Sequence, residues 1–230
     1  MNNIAKESLR RICEYLSKSN ITLSHKSRDG RVNSAEDEDI LMPYIEKIVN
    51  EDEFFNNNGL KFKYPGARYW YDFALESETE FIPVNIKTSD LSKRTADNLN
   101  SKESIAYALT GIRPEEQKIT TWPKFNKVIE ENINSCLDTD YYYLVVNKAD
   151  TSDVFFNSLK CIEKLVPNGN NLPFQCNWAE NKNIVENRSI EDSVNYILYM
   201  YDKSLERKEQ AAVSGRLATK AAMEKIRKNK

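Results

Sequence analysis

This chain has one histidine, His25, in 230 residues. That scarcity argues against zinc hydrolases built on His pairs, nucleases that use His as base or nucleophile, and Ser-His-Asp catalysis. Cysteine is also sparse: Cys13, Cys136, Cys161 and Cys176 are widely spaced, with no Cys-x-x-Cys pair. They read as free thiols in a reducing cytoplasm, not as a zinc site or disulfide frame. No Gly-rich phosphate loop appears, so ATP use is not expected. There is no long apolar run, and Met1-Asn-Asn-Ile-Ala-Lys-Glu7 lacks the apolar core of a signal peptide. The expectation is a cytoplasmic protein without a membrane span. A hydrolase in this chain would have to rely on carboxylates, amides and Lys with a metal.

What is present suits one compact domain over residues 1–230. The net charge is −2, which does not advertise a polyanionic partner, but residues 216–230 are strongly basic. That stretch suits phosphate contacts or a solvated helix end. Ile4, Leu9, Ile12, Cys13 and Leu16 mark an N-terminal amphipathic helix. A second helix follows Gly30 and runs to about residue 50. Ser34 is its expected N-cap, residues 36–39 its acidic first turn, and Ile40, Leu41, Tyr44, Ile45, Ile48 and Val49 its apolar face. Pro43 is expected to kink or split it.

Residues 54–59 read as a loop, 60–64 as a strand, 64–68 as a turn and 90–104 as a polar loop. Further helices are expected over 104–109 and 122–133, a buried strand over 141–146, and another strand or a strand-to-helix bend over 153–159. An amphipathic helix over 190–205 leads into a basic helical tail at 206–230. The pattern predicts an α/β fold with a central mixed sheet flanked by helices.

The most informative stretch is Tyr69-Trp-Tyr-Asp-Phe-Ala-Leu75, a short acidic loop, then Phe81-Ile-Pro-Val-Asn-Ile-Lys87. It reads as a β-hairpin with Asp72 in the first strand. Asn85 and Lys87, two apart in the second strand, share one face. Such a face can serve phosphodiester chemistry. Mg²⁺ takes hard oxygen ligands, and one or two carboxylates can hold it. It lowers the pKa of bound water and neutralises developing charge. Asp72 would be the anchor ligand. Asn85 could ligate or position a water through its amide oxygen, without charge. Lys87 would serve the attacking water or the charge on phosphorus. Stepping about 100° per residue, Asp37 and Glu38 fall toward the apolar face of their helix. Glu38 is therefore the candidate second carboxylate, with Asp37 behind it. The plainer reading of these groups is a solvated Asp–Lys pair and a helix-dipole partner.

Two further regions offer contacts to a nucleic acid. Arg68, Lys93, Arg94 and Lys102 lie near the hairpin in sequence. Asn168, Gly169, Asn170, Asn171 and Gln175 form an Asn-rich loop, where Asn and Gln suit bidentate contacts to adenine and Gly allows close approach. An Asn-Gly turn is the plainer reading of that loop.

Asp72, then Asn85-Ile-Lys87, resembles the catalytic pattern of the PD-(D/E)xK nucleases, with Asn85 in the first slot of the triplet. The order of elements is similar to that of EcoRV-like type II restriction endonucleases. They too have an acid-bearing helix, a strand with Asp, and a strand ending in an acid-Ile-Lys-Thr segment, here Asn85-Ile-Lys-Thr-Ser89. Thr95-Ala-Asp-Asn98, Tyr107-Ala-Leu-Thr-Gly111 and Pro167-Asn-Gly-Asn-Asn-Leu-Pro-Phe-Gln175 are similar to phrases of the same group. The resemblance implies a restriction-endonuclease-like core and Mg²⁺-dependent cleavage of double-stranded DNA at a short palindrome. It implies a homodimer with residues 1–33 in its interface, a recognition region over 150–185 and a companion DNA methyltransferase. Two alternatives share the fold: a sequence-specific DNA-binding protein that has lost catalysis, with Asn85 as the scar, and a structure-specific repair nuclease.

Overall fold

Every residue of Tyr142–Asn147 is buried. A strand apolar on both faces must be covered on both, and this one sets the architecture. In a computed structural model, residues 2–24, 30–65, 69–93, 96–99, 101–170 and 172–228 are described, with backbone alone for 30–34 and 228. The elements in chain order are α1 (Asn3–Lys18), α2 (Gly30–Glu51), α3 (Glu53–Asn57), β1 (Lys61–Lys63), β2 (Phe73–Glu76), β3 (Phe81–Ser89) and β4 (Asp97–Leu99). Then come α4 (Lys102–Thr110), α5 (Pro114–Gln117), α6 (Trp122–Asn132), β5 (Tyr142–Asn147), β6 (Val154–Ser158), β7 (Val166–Pro167), β8 (Phe174–Cys176) and α7 (Ile190–Lys228).

The main sheet has the order β1-β2-β3-β5-β6. Only the β3–β5 pairing is parallel, so the sheet is mixed. Along β5, Tyr142, Leu144 and Val146 pack with Leu9, Ile12 and Leu16 of α1 and Leu41, Ile45 and Val49 of α2. Tyr143 and Val145 pack in a second core with Ile105 of α4, Phe125 of α6 and Ile197 of α7. The fold is thus α/β, a mixed sheet between helical layers, as expected. A smaller sheet, β4-β8-β7, stands apart from the main one.

Pro83 fits within β3 for a specific reason. Val84 directs its carbonyl to the β2 side, where it accepts from the Asp72 N–H at 2.9 Å. Alternation then turns residue 83 toward β5, whose pairing with β3 begins only at Val84. The missing N–H therefore costs no ladder bond.

Several boundaries differ from the sequence expectation. Helix α2 begins at Gly30, so Ser34 lies inside it and the acids at 36–39 lie beyond its first turn. Pro43 does not split α2; it leaves the carbonyl of exposed Asp39 without its i+4 donor, where water can serve. Residues expected to loop at 54–59 contain α3, because the Asp52 side chain caps the Phe54 N–H and Phe55 is fully buried. The polar stretch 90–104 contains β4, whose partner β8 comes from far along the chain. Helix α7 runs without a break past residue 205. The apolar stripe of α1 is buried within its own chain, so a dimer contact through α1 would use the outer side, with Arg10 and Glu14. His25, Arg68, Arg94, Thr95 and Asn171 lie outside the described residues. Among the described residues no helix is long and apolar enough to cross a membrane.

One buried charge joins the layers. Asp37 of α2 is fully buried and accepts from Ser24 N at 2.7 Å and Thr88 Oγ1 at 2.9 Å, with Lys148 Nζ at 3.1 Å. It ties α2 to the C-terminal half of β3 and to the end of β5. Asp37→Ala leaves these donors and the Lys148 charge unpaired. It should lower stability by roughly 2–4 kcal/mol, whereas Asp39→Ala at the exposed neighbour should cost about 0.5 kcal/mol or less. Urea midpoints of the two variants check the contrast.

Candidate active site

Strand β3 is longer than its neighbour. The β2 ladder covers Phe81 to Val84 and stops where Phe73 pairs with Val84. Beyond that point β3 continues beside β5 alone, from Asn85 to Ser89. The Ile86 N–H faces the vacated side, and the Asp72 carboxylate takes it, with Oδ2 at 2.6 Å. Asp72 therefore sits just before β2, not within it, and its side chain stands in for missing backbone.

The same oxygen accepts the Asn85 amide, Nδ2 to Oδ2 at 2.7 Å. A carboxylate at position 85 would set two negative groups in contact. Asn85 replaces that repulsion with a hydrogen bond that favours ionised Asp72. Burial acts the other way and is the largest influence: it raises the Asp72 pKa, against the Ile86 N–H and the Lys87 charge, which lower it.

Glu38 arrives from α2. Its pKa is pushed up to about 7, first by burial and then by the Asp72 charge, with Lys87 opposing. Asp39 and Asp37 add smaller pushes. Lys87 is half-buried on β3, and no described carboxylate stands within ion-pair distance of its ammonium. The structure thus brings Glu38, Asp72, Asn85 and Lys87 together from α2, the approach to β2, and β3. Their arrangement is two carboxylates under electrostatic tension, one amide and one cation.

This donor set suits a hard divalent cation. Two carboxylates and an amide oxygen are Mg²⁺-type ligands, and an ion that keeps several waters needs no more. Among the described residues, no three His, Cys, Asp or Glu side chains gather at one metal position. The carboxylate ligands would accordingly be Asp72 and Glu38, with Asn85 contributing oxygen but no charge. Such an ion would offset the burial penalty and the Asp72 repulsion that together raise the Glu38 pKa.

Three residues that sequence reasoning passed over support this geometry. Tyr141 is buried, and its hydroxyl donates to the Trp70 carbonyl at 2.6 Å, two residues before Asp72. Burial pushes its pKa well up, and the charges of Asp72, Glu103 and Glu38 add to the rise. Glu103, in the first turn of α4, is therefore a third carboxylate in the neighbourhood. Glu115 of α5 accepts from Trp70 Nε1 at 2.8 Å and from the Tyr69 hydroxyl. The Ser101 N-cap, accepting from Ser104 N, was the available sequence signal for the α4 start that carries Glu103. Nothing local marks Tyr141 or Glu115.

The other predicted contacts fall elsewhere. Lys102 pairs with Glu103 at 2.9 Å. Asn168 is buried: Nδ2 donates to Asn98 Oδ1 at 3.1 Å, Oδ1 accepts from Asn170 N, and its carbonyl accepts from Ser204 Oγ. Gln175, half-buried on β8, donates to the same Asn98 oxygen at 3.0 Å. Gly169 lies against α7, where an added Cβ would stand 3.2 Å from Arg207 Cβ. Its lack of a side chain serves helix packing. Asn170 is exposed at the turn. The Asn-rich segment is thus a hairpin, β7–β8, whose buried amides hold its own shape.

The sequence matches no protein-family model, and no curated protein matches it.

The Glu38 environment predicts a pH effect. Its carboxyl holds a proton more tightly folded than unfolded, so folding stability falls as pH rises from about 4.5 toward about 7. Glu38→Gln removes that loss. It should be more stable than the parent at pH 8 by roughly 1–2 kcal/mol after solvent screening, with little difference at pH 4. Thermal melts at the two pH values check this; a constant offset would sink the assignment.

Proposed function

We propose that this chain is a Mg²⁺-dependent type II restriction endonuclease of the PD-(D/E)xK kind. It would hydrolyse phosphodiester bonds of double-stranded DNA at a short palindromic site. The observation that carries the reading is the convergence of Glu38, Asp72 and Lys87 around the free length of β3. The fold would be a restriction-endonuclease-like core, compatible with the mixed sheet between helical layers. Cutting both strands of a palindrome needs two sites related by a two-fold axis, so the working form would be a homodimer. A companion methyltransferase would protect the host site.

Bound Mg²⁺ supplies an acidified water and positive charge at the phosphate. The chain's own residues do the rest. Asp72, fixed through Oδ2 by Ile86 and Asn85, offers its carboxylate in one orientation. Glu38 completes the acidic set beside Asp72, and burial makes it hold its proton more tightly than a free carboxyl until a cation replaces that proton. Lys87 orients the attacking water or meets the charge that builds on the phosphoryl oxygens. Tyr141 and Glu115 keep the 69–72 segment in place. Base reading falls to the β7–β8 hairpin, through Asn170 and the Asn98–Gln175 amides.

A second reading, lost catalysis, has one observation in its favour. Asn85 removes an anionic ligand and occupies an Asp72 oxygen. The deciding experiment is incubation of the protein with unmethylated phage DNA, with and without Mg²⁺. Discrete metal-dependent bands are expected. Asp72→Ala and Lys87→Ala should each slow cutting on the order of 10³-fold while DNA binding persists. Full activity in Asp72→Ala would refute the site. Specific binding without cutting, rescued by Asn85→Asp, would establish the second reading, and a smear would favour a less selective nuclease.

A further inference from the structure

Among the described residues, nothing covers the far half of α7. Helix Ile190–Lys228 is roughly 58 Å long at about 1.5 Å per residue. Its near half is seated through buried Val194, Ile197 and Ser204. Residues 209–227 are all exposed, and Val213, Leu217, Met223 and Ile226 are 51% to 63% exposed. Most helix stability in proteins comes from packing one face, which this stretch lacks, so a partner would stabilise it.

Charge identifies the partner. From residue 209 to 228 there are five Lys or Arg and two Glu, a net of +3, in a chain whose total is −2. The rest of the chain therefore carries the excess acid. At about 100° per residue, Arg216, Lys220 and Arg227 lie within about 40° of one line along the helix. The arm also begins at an informative place. Arg207 donates to the Pro167 carbonyl, Ser204 donates to the Asn168 carbonyl at 2.6 Å, and Gly169 lies against Arg207. The root of the arm is thus stapled to the β7–β8 hairpin, the element assigned to base reading.

We propose that the projecting half of α7 is a phosphate-binding arm that grips the backbone of duplex DNA beyond the bases being read. The inference rests on the nuclease reading for its ligand. DNA presents a negative charge about every 1.7 Å of axis, a density that suits the basic line. The arm would add sequence-independent affinity and hold the protein on DNA between sites.

The test compares the full chain, a chain ending at residue 208, and Arg216→Gln/Lys220→Gln/Arg227→Gln. Binding to a non-specific duplex without Mg²⁺ is titrated against NaCl, with light-scattering mass and circular dichroism in parallel. Both variants should bind about tenfold or more weaker at low salt. Their log–log salt slope should be shallower by roughly 2–3, and their mass should not change. Unchanged slopes overturn the arm. So does a truncated chain that loses dimer mass while the triple variant keeps its slope; that outcome gives the arm to a second copy. A protein that never cuts but shows the arm-dependent slope loses only the nuclease reading. One that cuts with an arm-independent slope loses only this inference.

Discussion

The candidate site depends on a length mismatch between two strands. Strand β3 runs to Ser89, while β2 reaches back only to Phe73 opposite Val84. A strand that outruns its neighbour leaves backbone donors unpaired, and buried donors must find partners. Here a side chain supplies one: the Asp72 carboxylate takes the Ile86 N–H. One hydrogen bond thereby completes the ladder and fixes the orientation of the carboxylate. The opening left by β2 is where Asn85 and Lys87 stand.

Stability and chemistry pull apart at this point. Glu38 and Asp72 are both biased toward protonation by burial, and each feels the other's field or that of Lys87. Such tension destabilises the protein without a cation and favours binding one. The two apolar cores on either side of β5 can carry that cost, and Asp37 holds α2 against β3 so that Glu38 stays in range. Asp37 and Glu38, neighbours in sequence, have opposite parts: the first is fully satisfied by Ser24, Thr88 and Lys148, and the second is poised.

The Asn-rich hairpin shows how composition can mislead about which atoms are free. Asn168 has the residue type wanted for reading a base, yet its amide is committed to Asn98 and Asn170, and its carbonyl to Ser204. Gly169, suited to close approach of a ligand, is approached by α7 instead. What the hairpin can offer outward is Asn170 and the amides on the strand face, held rigid by these internal bonds.

Much of this molecule was legible from local pattern. Alternation placed Asn85 and Lys87 on one face, helical spacing found α1 and the apolar side of α2, and the composition of 141–146 announced a buried strand. These are short-range properties, set by the 2.0 and 3.6 periodicities of the backbone. Boundaries were less legible where a cap or a distant partner decided them, as with α3 behind Asp52 and β4 opposite β8. The meeting of Glu38 with Asp72 and Lys87, the support of Trp70 by Tyr141 and Glu115, and the burial of Asn168 were decided only by tertiary structure. Each joins residues far apart in the chain, and the burial and fields that govern them exist only once the layers have packed. The sequence by itself determined which chemical groups were available and which faces they occupied; the packed sheet decided which of those groups meet, because proximity and desolvation belong to the assembled fold.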